Sequence, residues 1–147
     1  VGIRSQILCV DDEKGVLSSF KRFFGDDNYE IFTAESGQDG LEILEKQDSI
    51  QLVISDYRMP GMDGIEFLQR VWARWPKTVR ILISGDADAE QALSAINEGQ
   101  IYKFFAKPWN DDEFRETVAN ALNAFHLRER NEALADELIE QRSNKNG

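Results

Sequence analysis

Leu52-Val53-Ile54-Ser55-Asp56, followed by Tyr57-Arg58-Met59-Pro60-Gly61-Met62-Asp63-Gly64, decides the fold. A short apolar run ends on an acid and gives way to a stretch dense in Pro and Gly. Such a run reads as a strand buried on both faces that delivers a carboxylate to a turn. The pattern recurs upstream, where Ile7-Leu8-Cys9-Val10 stops at Asp11-Asp12-Glu13. It recurs downstream at Val79 to Ile83, tipped by Ser84-Gly85-Asp86, and at Tyr102 to Ala106, tipped by Lys107-Pro108. Tyr29 to Ala34 supplies a further strand.

Helical spacing fills the intervals. Val16, Leu17, Phe20, Phe23 and Phe24 recur on one helical face until Gly25. Ser36 suits an N-cap, with Asp39 three residues on and Leu41, Ile43 and Leu44 as apolar positions. A third helix runs through Ile65, Phe67, Leu68, Val71 and Trp72 and ends before Pro76. Ala87 to Ile96 reads as a fourth, closed near Gly99, and Asn110 caps the last, with Glu113 placed for a capping box. Five strand-helix pairs with short loops predict an α/β chain whose parallel sheet is covered on both faces. Working residues in such sheets sit at the carboxyl ends of strands. Asp11, Asp12, Asp56, Ser84 and Lys107 therefore line one rim.

The rim chemistry is specific. Three carboxylates crowded together repel each other, and desolvation adds to the cost. A hard divalent cation and a lysine offset it. Mg²⁺ takes oxygen ligands, so Asp12 and Asp56 are expected as direct ligands, Asp11 directly or through water, and the Arg58 backbone carbonyl as one more. His126 and Cys9 are each single residues, so zinc and copper are poorly served. Phosphoryl transfer needs an in-line nucleophile and positive charge on the equatorial oxygens. Asp56 fits the nucleophile, Lys107 and the metal the charge, and the Ser84 hydroxyl a donor.

Composition narrows the rest. The 147 residues suit one domain and carry 27 acids against 17 basic residues, a net charge of -10. That excess disfavours nonspecific binding to nucleic acid or anionic membrane. No apolar run approaches the ~20 residues that span a bilayer, and no secretory leader is visible, so a cytoplasmic location is expected. Cys9, between Leu8 and Val10, reads as a buried structural thiol. The chain opens on Val1 rather than Met, so continuation at either end is expected.

Val10-Asp11-Asp12-Glu13, Ser55-Asp56, Met59 to Gly64, Ile83-Ser84-Gly85 and Lys107-Pro108-Trp109 together resemble the receiver domain of two-component response regulators. The resemblance covers almost all of residues 7–125. It implies a three-layer α/β/α, flavodoxin-like fold with strand order 2-1-3-4-5. It also implies Mg²⁺, with Mn²⁺ able to substitute, and a phosphoryl group received on Asp56 from a histidine kinase or histidine phosphotransfer protein. Asp11 and Asp12 become the metal acids, Ser84 the switch hydroxyl, Lys107 the family's lysine and Phe104 its switch aromatic. Such a domain is a phosphoacceptor that supports its own phosphoryl transfer and slow autodephosphorylation, not a turnover enzyme.

Arg58 and Asp86 each lie two residues past a pocket residue, on loops that flank Asp56. They are expected to modulate the pocket by gating the hydrolytic water; ordinary solvated loop charge is the competing reading. A haloacid-dehalogenase-type phosphatase would have a second acid where Arg58 stands. A flavin carrier would need a hydroxyl- and Gly-rich loop in place of Asp11-Asp12-Glu13. An inactive receiver would show a damaged pocket.

The last helix overruns the domain. The sequence divides into a receiver at 1–125, a helical extension at 126–142 and a frayed linker at 143–147. Ala124, Leu127, Asn131, Leu134, Leu138 and Gln141 fit alternating a and d positions of a heptad. A dimerising signalling helix that leads to an output domain outside this chain is one reading; a solvated linker helix is the other. A homodimer could alternatively form through the face made by residues 87–96, the fifth strand and the last helix. The wording from Tyr102 to Trp109 also looks like receivers that precede cyclic-dinucleotide phosphodiesterase modules.

Overall fold

The computed structural model describes residues 4–85 and 100–146, the last four as backbone alone. The expected helix at Ala87–Ile96, and Asp86, lie outside the described residues.

Nine elements follow in order: β1 (Ser5–Val10), α1 (Lys14–Phe23), β2 (Tyr29–Ala34), α2 (Gly37–Lys46), β3 (Ile50–Asp56), α3 (Gly64–Arg74), β4 (Val79–Ser84), β5 (Lys103–Ala106) and α4 (Asp111–Asn146) among the described residues. The five strands form one sheet in the order β2-β1-β3-β4-β5. Every neighbouring pair is parallel.

Alternating side chains build two cores. Ile7, Cys9, Leu52, Ile54, Ile81 and Ile83 face one side, beneath Leu17 and Phe20 of α1, Phe24 just past its end, and Phe114, Val118 and Phe125 of α4. Leu8, Val10, Val53 and Leu82 face the other, beneath Leu41 and Leu44 of α2 and Phe67, Leu68 and Val71 of α3. The result is a three-layer α/β/α sandwich. Strand β3 starts two residues earlier than its apolar run predicts. Gln6 pairs with Ile50 and Ile7 with Leu52, so Gln51 is an extra residue and the sheet is irregular there. That irregularity lets Ile50 join the α2–α3 side despite its even spacing from Leu52.

Caps fix the helix starts. The Ser36 hydroxyl accepts from the Asp39 amide at 3.1 Å, Asp63 Oδ1 from Glu66 at 2.8 Å and Asn110 Oδ1 from Glu113 at 2.9 Å. At the far end, α4 remains helical through Asn146, where a frayed linker was expected from Ser143. No Pro or Gly interrupts it before Gly147.

Candidate functional site

Register brings the acids together. Val10 pairs with Ser55 across β1 and β3, so the residues that follow, Asp11 and Asp56, meet at the carboxyl edge of adjacent strands. Carboxylate oxygens of Asp11, Asp12 and Asp56 all lie within 4.8 Å of one another. Ser84 pairs with Ala106, which places Lys107 one step beyond the edge, and the Lys107 amide donates to the Ser84 carbonyl at 2.9 Å. Lys107 Nζ stands 3.3 Å from Asp56 Oδ1 and 3.7 Å from Asp11 Oδ2. The four charged residues predicted at the rim thus form one cluster, with the buried Ser84 beside it.

The loops that carry the cluster are tied to strand ends. The Tyr57 amide donates to the Ile83 carbonyl at 2.9 Å, and the Gly64 amide returns to the Tyr57 carbonyl at 2.8 Å. The Asp11 amide reaches the Ala34 carbonyl at 3.1 Å. Asp11 Oδ1 then accepts from the Glu13 amide at 2.9 Å, which anchors the turn into α1.

Electrostatically the pocket is short of positive charge. Asp11 is almost fully buried, and desolvation is the main reason its carboxyl is pushed up to about 6. The Glu13 amide and Lys107 offset part of that rise, while the fields of Asp56 and Asp12 add to it. Asp56 is raised as well, again chiefly by burial, with Lys107 pulling it down. Asp11 Oδ2 is a buried acceptor without a hydrogen-bond partner. Crowded oxygen donors, an orphan acceptor and a single nearby lysine suit a hard divalent cation. Burial also raises the Cys9 thiol far above its ordinary range, so it remains protonated in the core.

The remaining expected residues are more dispersed. Phe104 pairs with Leu82 and packs partly buried on the α2–α3 side. The exposed Arg58 guanidinium lies 5.6 Å from the Tyr57 ring centroid. Leu127, Leu134 and Leu138 are 54%, 51% and 57% exposed, and Asn131 is exposed among them. Ala124, the expected first residue of that seam, packs partly buried against the α1–α4 core.

Two features escape a reading of the sequence. One is a groove of about 280 Å³ beside Lys107, lined by Val16, Phe20, Phe23, Trp109 and Phe114. Its rings stack on one another, with the Trp109 and Phe114 centroids 4.7 Å apart. The aromatic spacing of α1 was its available signal. The other is Arg80, 1% exposed near the start of β4. Its guanidinium donates to the carbonyls of Gln100 at 2.7 Å, Thr78 at 2.6 Å and Pro76 at 3.4 Å.

The profile of the response regulator receiver domain matches residues 7–119. The chain belongs to that family. A receiver supports its own phosphoryl transfer and is not a conventional turnover enzyme. Among curated relatives, the hydrogenase transcriptional regulatory protein HoxA of Cupriavidus necator is 36% identical over 121 residues, 82% of this chain. The match spans 25% of HoxA's length. The sporulation initiation phosphotransferase F of Bacillus subtilis is 32% identical over 82% of this chain and 95% of its own. Among solved structures, the signal receiver domain of an HD domain-containing protein from Pseudomonas fluorescens Pf-5 aligns with a TM-score of 0.81 at 34% identity. That alignment covers 88% of this receiver and 95% of the other chain. Among the described residues, no helix of the receiver is long and apolar enough to cross a membrane.

Proposed function

We propose that Asp56 accepts a phosphoryl group from a histidine kinase or histidine phosphotransfer protein, and that the resulting change passes to an output domain or partner. The observation that carries this reading is the Asp56 carboxylate held at once against Lys107 and beside Asp11 and Asp12. These three acids, with the Arg58 carbonyl, would hold Mg²⁺, or Mn²⁺ in its place. The bound ion supplies positive charge on one side of the phosphoryl oxygens. Lys107 supplies it on another, and the Ser84 hydroxyl donates to a third oxygen. Phe104, next along the sheet from Leu82, answers the movement of Ser84 as the switch aromatic. The groove between α1 and the start of α4 suits an apolar helix face of the phosphodonor, since it opens beside Lys107. Such a donor places the domain in the cytoplasm.

The test is intact-mass analysis after incubation with Mg²⁺ and a small-molecule phosphodonor. One phosphoryl group is expected on the native chain and none on Asp56→Asn. An unlabelled native chain, or equal labelling of the variant, would overturn the assignment.

Arg58 and Asp86 act in this scheme as modulators that gate the hydrolytic water. Their places in the sequence, two residues past Asp56 and Ser84, support it, and unchanged phosphoryl lifetimes in both Arg58→Ala and Asp86→Ala would remove it. The signal leaves through α4, with the receiver taken as 1–125 and the signalling helix from 126 onward. The relatives' names pair receivers with transcriptional regulation in one case and an HD domain in another, so the output is identified here only as separate from the receiver.

A further inference from the structure

Within β3 the apolar run Leu52-Val53-Ile54 is followed by Ser55, whose side chain is buried with the rest of the strand and 0% exposed. Serine is no natural strand former, and a buried hydroxyl costs free energy unless it finds a partner. Its partner here is the main chain of Asp56: Ser55 Oγ donates to the Asp56 carbonyl at 3.0 Å.

The end of the sheet explains why a side chain is needed there. Backbone groups alternate along a parallel strand, so the Tyr57 amide turns toward β4 and the Asp56 carbonyl toward β1. The Tyr57 amide finds the Ile83 carbonyl at 2.9 Å. β1 ends at Val10, opposite Ser55, so the ladder runs out where the Asp56 carbonyl would take its next donor. The Ser55 hydroxyl fills that place. A Cβ at Gly64 would collide with the same oxygen, so the hydroxyl and the Gly64 α-carbon enclose it together.

The Asp56 carbonyl and the Tyr57 amide belong to one peptide, which is planar. Ser55 holds its oxygen and Ile83 its nitrogen, so the plane cannot turn and the backbone at Asp56 is set. The Asp56 carboxylate springs from that backbone, 3.3 Å from Lys107 Nζ and in the cluster with Asp11 and Asp12. The Gly64 amide closes back on the Tyr57 carbonyl at 2.8 Å, so the intervening loop starts from the same fixed plane.

We infer that Ser55 is a positioning residue for phosphoryl transfer, whose hydroxyl locks the Asp56–Tyr57 peptide and so holds the Asp56 carboxylate in line for attack. The inference rests on the reading of Asp56 as the phosphoacceptor. Ser55 is fully buried and reaches neither donor nor ion. Its loss therefore lowers the maximum rate of labelling and leaves the affinity for the donor alone.

Acetyl phosphate with saturating Mg²⁺ is the probe: an Asp56 oxygen bonds phosphorus as acetate leaves. Ser55→Ala deletes one buried oxygen and is expected to keep a urea midpoint close to that of the native chain. Its maximum labelling rate is expected to fall at least fivefold, with half-saturation by acetyl phosphate unchanged. Without metal or donor, hydrogen exchange at the Tyr57 amide is expected to quicken at least tenfold, while the Ile54 amide stays as in the native chain. Ser55→Cys, close in size but a weak donor, should match Ser55→Ala. Ser55→Thr keeps the hydroxyl and should recover most of the rate. Native labelling in Ser55→Ala or Ser55→Cys would overturn the inference and leave Asp56 as the acceptor. A Ser55→Thr chain as slow as Ser55→Ala, or unchanged exchange at Tyr57, would overturn it in the same way. A native chain that takes no label would overturn the reading of Asp56 itself, and the inference with it.

Discussion

Gly64 packs its α-carbon against the backbone of Asp56: a Cβ at Gly64 would lie 2.0 Å from the Asp56 carbonyl oxygen and 2.9 Å from its carbonyl carbon. The obstacle is main chain, so it cannot turn aside as a flexible side chain would. The first residue of α3 thus presses on the acid at the end of β3. Gly64→Ala is expected to destabilise the domain by about 3 kcal/mol or more through overpacking, and to slow labelling of Asp56 in whatever fraction folds. Gly15→Ala is the control. It has no neighbour within 4 Å, and its place in α1 favours alanine by up to about 1 kcal/mol. Equal urea midpoints for the two variants would refute the packing argument.

Asp11 makes stability depend on pH in a direction opposite to that of an ordinary salt-bridged acid. Its folded carboxyl is raised from 3.8 to about 6, so the fold binds its proton more tightly than the unfolded chain does. The resulting stabilisation is complete below 3.8 and is lost as pH rises through about 6. A shift of ~2 units corresponds to about 3 kcal/mol at 1.36 kcal/mol per unit. Asp11→Asn keeps an acceptor for the Glu13 amide and removes the buried charge. Without metal it is expected to be about 2–3 kcal/mol more stable than the native chain at pH 7.5, and nearly equal to it at pH 4. Saturating Mg²⁺ should reverse the order at pH 7.5, because only the native acid set binds the ion strongly. Urea denaturation across that pH range measures all three comparisons.

The legible and the illegible parts of this chain differ in physical kind. Asp11 and Asp56 were readable because a buried parallel strand must end, and an acid at its end lands on the working rim. Strand order followed from the family resemblance, and the carboxylate cluster then followed from register. Arg80 was not readable. A single charge between Val79 and Ile81 does not reveal where its cation goes, since its acceptors are carbonyls of turns at Pro76, Thr78 and Gln100. Arg128 and Glu132 likewise look like an ordinary i,i+4 pair on a solvated helix, yet both hold the α3–β4 turn. The start of β3 was missed for another reason: the irregularity at Gln51 breaks the alternation on which strand reading depends.

Arg80 therefore makes a separate prediction. It joins the start of β4 to the segment that enters β5, since the Tyr102 amide also donates to the Arg80 carbonyl at 2.8 Å. Arg80→Met would strip a donor from each of three carbonyls while keeping an apolar side chain of similar reach. A loss of about 2–4 kcal/mol is expected, from one or two buried acceptors left unpaired at ~1–3 kcal/mol each. Arg80→Lys should recover only part of it, because an ammonium lacks the planar fork. Faster hydrogen exchange at the Tyr102 amide in Arg80→Met would locate the damage at β5. Stability equal to the native chain would mean that water replaces the guanidinium without cost.

Lys107 has two opposed effects on cation binding, and their balance changes with pH. Its charge lowers the carboxyls of Asp11 and Asp56, which keeps ligands ionised, but it also repels any cation that enters. Lys107→Met removes both effects. At pH 8, with the acids ionised, the variant is expected to bind Mg²⁺ several-fold more tightly than the native chain. Near pH 5.5 it is expected to bind more weakly, because Asp11 and Asp56 hold their protons to higher pH. The two curves of affinity against pH must then cross, and the variant's must be the steeper. Calorimetric Mg²⁺ titrations at pH 5.5, 6.5 and 8 would follow this directly. Parallel curves would show that Lys107 does not set the ionisation of these acids, despite its 3.3 Å approach to Asp56.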